Sequence, residues 1–487
     1  MNDPFKGGPW HPFAGLSGFG PPHVERVPTE PLQNPHWLAW NQSLARLLDL
    51  PAEPGHEWLA RFSGQLEELP WCTAYAGHQF GVWAGRLGDG RAHLLGQRQD
   101  RNGIWQEIQL KGAGHTPFSR MGDGRAVLRS SIREYLGSEA MAGLGIPTTR
   151  ALALVGSDQP VMRETMETAA IVTRVAPSFI RFGHFEYFAQ KRDTAKLKQL
   201  TDMVVQRFYP EAAHHPLPAL AMLSRVVERT AHLVADWQAV GFCHGVMNTD
   251  NQSILGLTLD YGPFGFMDRF DAHHICNHSD SEGRYAYSQQ PAVSEWNCVV
   301  LANALWPLIG DEQATRDVLQ AFRPAFERRH TRLFRRKLGW VREHDDDEDL
   351  IFRGLLLLHE QGMDFTRFFR ALSRFSLDDT SCPVWTGDPF PREEAWSEWV
   401  RDYRARLQWE QSGDAARHLL MQQTNPAFVL RNYLAEEAIR AATEGDTSVL
   451  RRLETILASP FEDHPEEASW AAMPPGWAAS LSVSCSS

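Results

Sequence analysis

A chain of 487 residues is longer than most single compact cores, so two or three lobes with a cleft between them are expected. Apolar residues make up 43% and charged residues 22%, ordinary for a soluble globular protein, and no run reads as the ~18 apolar residues needed to cross a bilayer. The formal charge of −12 argues against nucleic acid as a partner, because neutralising a phosphate backbone requires clustered Lys and Arg. Met1 to Trp10 carry neither an apolar signal core nor an Arg-rich amphipathic pattern, so a cytoplasmic address with no membrane partner is expected. Six scattered cysteines form no disulfide framework, and the absence of heptads points to a monomer.

In chain order, residues 1–70 are rich in Pro, Trp and Gly, with short helical patterns such as Trp37 to Leu50. They are expected to pack as an irregular N-terminal extension on the core that follows. From Phe80 to about Arg181, short apolar strands alternate with glycine-rich turns, at 81–84, 92–96, 104–111, 151–155 and 170–175. One helix interrupts them: in residues 126–142, Leu128, Ile132, Tyr135 and Leu136 form the stripe of an amphipathic helix lying on a sheet. After residue 184 the pattern turns helical, with stretches near 194–208, 218–240, 292–309, 312–338, 350–374, 394–410 and 426–442. The basic run 328–337 and the acidic run 345–349 read as solvated faces.

The stretch Ala84 to Arg91 places Gly88 and Gly90 where bare backbone N–H groups approach a polyphosphate, although Gly88-Asp-Gly90 is also the pattern of an ordinary hairpin turn. Lys111 ends a strand at the distance from the glycines expected of a phosphate-gripping lysine. Glu134 stands off the apolar stripe of the helix and is a candidate ion-pair partner for it, with Glu139 as the competitor. Met121 to Arg125 hold a second glycine-flanked Asp123, either a turn or a second phosphate-approaching loop. Arg174 and Arg181 place two cations at the end of the strand region, facing the junction with the helical part.

Phe242 to Asn251, followed by Asp260-Tyr-Gly262, is the most informative segment. It resembles a protein-kinase catalytic loop, H-R-D-x-x-x-x-N, with His244 and Asn251 at the kinase spacing. The position that should be the base is Val246, which can neither take a proton nor hold a cation, and a carboxylate appears instead as Asp250. Asn251 and Asp260 are oxygen ligands of the kind Mg²⁺ accepts, and Asp250 is the candidate general base. Residues 254–259 read as a small hairpin leading to Asp260. The expected fold is α+β, a protein-kinase-like bilobal fold: a β-rich N-lobe over 71–183 and a helical C-lobe over 184–487, with N- and C-terminal extensions. Asp271 to Asp280 could offer His and Cys to zinc, but the spacing matches no regular zinc module. Cys276 in that stretch is a candidate disulfide partner for Cys485, third from the end in a small polar tail.

Lys111-Gly-Ala-Gly-His-Thr-Pro-Phe-Ser-Arg, His244-Gly-Val-Met-Asn-Thr-Asp-Asn-Gln-Ser, Leu259-Asp-Tyr-Gly-Pro-Phe-Gly-Phe-Met-Asp and the terminal Ser-Val-Ser-Cys-Ser-Ser together resemble the selenoprotein O family, over nearly the full length. Cys485 stands where eukaryotic members carry selenocysteine, which fits a bacterial-type member. The resemblance implies protein adenylylation, with ATP bound in a flipped orientation, its α-phosphorus facing a Ser, Thr or Tyr hydroxyl of a protein substrate, and pyrophosphate leaving. It implies further that Arg91, Lys111, Arg174 and Arg181 take the β- and γ-phosphates. Gly88, Gly90, Asp123 and Gly124 complete the nucleotide contacts. Asn251 and Asp260 hold Mg²⁺, or Mn²⁺ in its place, Asp260 also lying near the nucleotide, and Asp250 deprotonates the hydroxyl. The competing expectations are a kinase-like phosphotransferase, a catalytically inactive ATP-binding scaffold, and a redox protein built around Cys485.

Overall fold

The computed structural model describes residues 10–11, 15–377 and 393–483. Its strands run β1 Val24–Arg26, β2 His36–Trp40, β3 Trp71–Gln79, β4 Val82–Gly88, β5 Ala92–Gln99, β6 Trp105–Lys111, β7 Ala126–Val127, β8 Arg150–Met162 and β9 Met166–Ala176. They form one antiparallel sheet in the order β1-β3-β5-β6-β9-β8-β2, with β4 paired to β3 and β7 to β9. Tight turns set the registers. Between β5 and β6 the Asp100 carboxylate accepts from the N–H groups of Asn102 and Ile104, both at 2.9 Å, closing an Asx turn that pairs Gln99 with Trp105.

The first seventy residues do more than decorate this sheet, since β1 and β2 are its two ends. The helical pattern expected from Trp37 to Leu50 divides there. Residues 36–40 extend against β8, and Asn41 starts a short helix, α1 Gln42–Leu47, by accepting from the Leu44 N–H at 3.0 Å. A second short helix, α2 His56–Phe62, follows. Trp10, Trp58 and Phe62 then close an aromatic cluster over the outer face of the sheet, with Ile108, Leu110 and Val155 beneath.

Helix α3, Leu128–Gly143, lies on the opposite face and buries the expected stripe of Leu128, Ile132, Tyr135 and Leu136. From residue 182 the chain is mostly helical: α4 Phe182–Gln190, α5 Thr194–Phe208, α6 Pro218–Ala239, α7 Gln290–Ile309, α8 Glu312–Gln320, α9 Phe322–Lys337, α10 Asp347–Gln361, α11 Phe365–Leu372, α12 Glu393–Glu410, α13 Asp414–Gln422, α14 Asn432–Thr443 and α15 Ser448–Ala458. Two expected long helices are broken. The 312–338 stretch divides at Ala321, and the 350–374 stretch divides at Gly362, whose φ of 58° is left-handed, before Asp364 caps α11. The hairpin expected over 254–259 is instead a turn around Gly256 with isolated bridges, Gln252 to Thr258 and Thr148 to Thr258. Trp237 Nε1 donates to Thr258 Oγ1 at 2.9 Å and fixes it. One described helix, Tyr287–Ile309, is long and apolar enough to cross a membrane, contrary to the expectation of no such run; half of that window is buried, and the helix packs on α4, α6 and α8.

Helices α14 and α15 return to clasp α3. Tyr135 Oη donates to Glu454 Oε1 at 2.8 Å, and Arg133 donates to Asn432 Oδ1 at 3.2 Å and to the Phe264 carbonyl at 2.5 Å. Gly143 lets the Leu457 carbonyl approach so closely that any Cβ there would overlap it.

The charge runs are less solvated than their composition suggests. Asp347 is fully buried between Arg335 and Arg406, each donating an Nε–H at 2.7 Å. Lys337 is also buried, its ammonium 4.3 Å from the Phe369 ring centroid and 5.3 Å from that of Phe365. Burial lowers its pKa to about 7. The unfolded chain therefore holds more protons than the folded one between pH 7 and the ordinary lysine value, so this residue makes stability rise with pH across that window. Lys337→Met is expected to raise stability at pH 7 by on the order of a few kcal/mol and to flatten the rise, read by urea denaturation at pH 7 and pH 9.5.

Candidate active site

Between the sheet and the helices opens a cleft of about 1100 Å³. Its walls contain Gly88, Gly90, Arg91, Lys111, Asp123, Gly124, Glu134, Arg174, Arg181, Asp250, Asn251 and Asp260, together with Val246. The residues singled out for nucleotide, metal and base roles thus share one cavity. They arrive from the sheet, from α3, from the start of α4 and from the loop after α6.

The cationic wall is built on neighbouring strands. Lys111 closes β6, and Arg174 lies on β9 opposite Gln109, whose side-chain oxygen accepts from Arg174 Nη2. Lys111 Nζ lies 2.5 Å from Glu134 Oε2 and 3.4 Å from Asp260 Oδ1. Arg174 Nη1 reaches Glu134 Oε1 at 3.2 Å and Asp260 Oδ1 at 2.5 Å. Arg181, at the N-cap of α4, donates to Asp260 Oδ2 at 2.5 Å and to the Asp250 carbonyl at 2.7 Å, with its guanidinium 4.9 Å from the Tyr75 ring centroid.

Burial works against the charged form of Asp260, but Arg181, Arg174 and Lys111 outweigh it and hold the carboxyl well below the usual range. The same Asp260 holds the Arg174 and Arg181 pKa values above the ordinary one against their own burial. Four cations, Arg91 included, face two carboxylates, Glu134 and Asp260. That excess of positive charge suits a polyphosphate. The competitor Glu139 is engaged elsewhere, accepting from Arg150 at 2.9 and 2.6 Å, from Asn41 at 2.6 Å and from the Ala151 N–H at 2.9 Å.

The two glycine loops are shaped by residues that the sequence reading passed over. Asp89, buried between Gly88 and Gly90, accepts from Thr73 N–H at 2.8 Å and Thr73 Oγ1 at 2.6 Å, while its own N–H donates to the Thr73 carbonyl at 2.9 Å and Gly90 N–H to the Gly88 carbonyl at 2.7 Å, so the loop that lines the cleft is fixed from within. Asp123 receives a two-pronged guanidinium from Arg163, at 2.7 and 2.9 Å, which holds its carboxyl below the usual range. Arg163 sits in the β8–β9 turn, where only its charge could have marked it. Gly124 has φ +69°, and a Cβ there would overlap the Gly114 carbonyl.

The loop after α6 carries the base candidate. His244 is buried, which lowers its pKa and keeps it neutral; its Nε2 lies 3.0 Å from the Leu259 carbonyl and its Nδ1 accepts from Val246 N–H at 3.3 Å. Asn251 Nδ2 donates to the Val246 carbonyl at 3.0 Å, so its amide oxygen is the atom left for a cation. The tip of the β3–β4 hairpin is tied down on this loop. His78 N–H donates to Thr249 Oγ1 at 2.8 Å, Gln79 Nε2 to Asp250 Oδ2 at 3.2 Å, and Phe80 N–H to Tyr285 Oη at 2.8 Å and to Asn248 Oδ1 at 3.2 Å. Asp250 is only 7% exposed, and its other oxygen, Oδ1, has no hydrogen-bond partner. Burial pushes this carboxyl up to about 6, the range of a useful general base.

Gly77 makes room for Asp250: a Cβ there would lie 2.8 Å from Asp250 Oδ1 and 3.0 Å from its Cβ. Gly77→Ala is therefore expected to displace the carboxylate and reduce turnover by about 10²-fold, with ATP affinity little changed; parallel measurement of kcat and of nucleotide Kd checks this.

Cys276 donates its thiol to the Cys243 carbonyl at 3.5 Å. The expected pairing with Cys485 lies outside the described residues, which end where His278 N–H donates to the Val483 carbonyl at 2.9 Å. Among the described residues no group of three or more His, Cys, Asp or Glu side chains is arranged for a metal ion.

The model of the family described as protein adenylyltransferase SelO matches residues 14–458. The chain is also 52% identical over 499 residues to the protein nucleotidyltransferase YdiU of Cupriavidus metallidurans, covering 97% of this chain and 91% of that one. It is 52% identical over 497 residues to the protein of the same name in Paraburkholderia xenovorans, covering 98% and 95%. Both matches name one class, the protein nucleotidyltransferases. Within that class, the chain belongs to the protein adenylyltransferase SelO family.

Proposed function

We propose that the chain transfers AMP from ATP to Ser, Thr or Tyr hydroxyls of proteins, as a monomer with a kinase-like division into an N-lobe over 71–183 and a helical C-lobe over 184–487. The observation that carries the reading is Asp250. A buried carboxylate with one unpartnered oxygen lines the same cleft as a cluster of cations, while Val246 occupies the place of a kinase base.

In this reading the acceptor hydroxyl gives its proton to the Asp250 carboxylate as its oxygen attacks the α-phosphorus. The bond to the bridging β-oxygen breaks, and pyrophosphate leaves. Arg91, Lys111, Arg174 and Arg181 bind the β- and γ-phosphates and stabilise the charge that develops on the leaving group; placed in advance in a buried wall, they need no reorganisation at that moment. Gly88, Gly90, Asp123 and Gly124 shape the loops against which the nucleotide lies. Glu134 holds Lys111 in place. The all-oxygen donor pair of the Asn251 amide and the Asp260 carboxylate fits Mg²⁺, with Mn²⁺ as an alternative. When bound, the ion would supply charge neutralisation at the phosphate oxygens.

The test incubates the protein with Mg²⁺ and ATP labelled at either the α- or the γ-position, with Asp260→Ala as control. Label on protein from the α-position alone, lost in the control, is the expected result. Label from the γ-position alone would make the chain a phosphotransferase, and label from neither an ATP-binding scaffold.

A further inference from the structure

A second cavity, of about 620 Å³, lies beside the first, and Phe80 lines both. Its floor comes from the segment after Asp260 and from the start of α7, with Ile275, Ala292, Val293 and Trp296 as apolar lining and Arg284 laid over the Trp296 ring at 5.0 Å. Phe80 and Ile275 present 38% and 43% of their surface to solvent, and Val82, two residues along the hairpin, is more exposed still. Phe80 is the apolar side chain common to the two cavities, and Ile275 lies on the wall of the second.

Phe80 is held there against its own preference. Its φ of +50° lies in the left-handed region, which costs a bulky residue about 1 kcal/mol or more. Its N–H is fixed by Tyr285 and Asn248, and its ring lies 5.0 Å from that of Tyr285. The same turn contributes Gln79, which touches the candidate base. The backbone geometry that brings Gln79 to Asp250 thus turns the Phe80 ring out between the cleft and the groove.

We propose that this groove binds the acceptor polypeptide, taking an apolar side chain close in sequence to the hydroxyl that is modified. The inference rests on the adenylyl-transfer reading and names the partner of that site: an extended segment carrying Leu, Ile, Met or Phe beside its Ser, Thr or Tyr. Continuity argues for it. A protein hydroxyl that reaches Asp250 brings flanking residues with it, and Phe80 is the wall shared between the cleft that holds the base and the groove. Arg284 and Glu282 on the lining are of opposite sign, and His273, Ser288 and Gln289 add polar groups, so no single charge selects the segment and the exposed Phe80 and Ile275 offer its apolar contact.

The test uses the full chain, α-labelled ATP, and an array of peptides with one central Ser, Thr or Tyr and each flanking position varied in turn, with casein as an undirected acceptor. The wild type is expected to favour a large apolar residue at one flanking position by about tenfold or more. Ile275→Glu should flatten that preference and raise KM for the best peptide about tenfold, with KM for ATP within about twofold, and Ile275→Leu should restore it. A flat array from an active wild type would overturn the groove, as would an ATP KM that rises in step with the peptide KM. So would a preference that emerges only when residues 484–487 are deleted, since the groove would then serve the chain's own C terminus. No label on either array or casein would overturn AMP transfer itself, and the groove with it.

Discussion

Asp250→Asn is expected to lower kcat for AMP transfer by about 10²- to 10⁴-fold and to leave ATP affinity within about twofold. The substitution keeps the volume of the side chain and an oxygen for Gln79, so the hairpin tip stays in place. What it removes is the capacity of the side chain to take a proton. The cations that grip the phosphates, Arg91 before β5, Lys111 on β6, Arg174 on β9 and Arg181 at the start of α4, are not ion-paired to this carboxylate. Single-turnover rates with α-labelled ATP, beside isothermal titration of the nucleotide, separate the two effects. A variant that retained more than about a tenth of the wild-type rate would remove Asp250 from the role of base.

The second large effect is at Asp260, and it has two signs. Asp260→Ala should abolish transfer by about 10³-fold or more, because it removes a carboxylate from the donor pair for the cation. In the presence of a chelator, however, the same variant should bind ATP at least as tightly as the wild type. In the ligand-free protein Asp260 neutralises Arg174, Arg181 and Lys111 at contact distance, and a triphosphate must share those cations with it. Without it, Lys111 and Arg174 keep Glu134 at contact distance, and buried Arg181 keeps the Asp250 carbonyl but no carboxylate. That imbalance should destabilise the free protein by roughly 3–5 kcal/mol, as removal of one member of a buried ion cluster does. Bound ATP should recover part of the loss, so the thermal shift on adding ATP should be larger in the variant. A variant that neither loses stability nor gains in that shift would show that the ion cluster is not what holds the cleft together.

The site was more legible in the sequence than the fold around it. Asp250 and Asn251 stand at a fixed spacing from His244 in a loop of eight residues, which keeps such spacing in space, and Asp260 follows nine residues on. Lys111 was legible because a strand end and a preceding glycine loop restrict where its ammonium can go. The choice between Glu134 and Glu139 was not, since both leave the apolar stripe of α3 and only the sheet beneath decides which meets Lys111. Arg163 was hidden for the same reason: its partner Asp123 is forty residues away, across a hairpin whose length the strand pattern alone does not set. The N-terminal segment misled because Trp37, Leu44 and Leu48 fit a helical period, whereas β8 offers Trp37 and its neighbours a strand partner more than a hundred residues distant. Helix α4, Phe182–Gln190, was missed because its aromatic residues are buried all round and leave no polar face to set the period.

The clasp on α3 has a consequence for when the enzyme exists at all. Glu134 meets Lys111 only if α3 lies where it does, and α3 is fastened by Glu454, Asn432 and the Leu457 carbonyl, more than three hundred residues downstream of Lys111. A nascent chain emerging from the ribosome has made both glycine loops, the four cations and the base long before it has made α15. Until that helix docks, α3 has Phe264 and Tyr261 against it but lacks the contacts of Glu454 and the Leu457 carbonyl. A polypeptide that stops short of Ala458 carries nearly every residue of the site but lacks the contacts that α15 makes with α3.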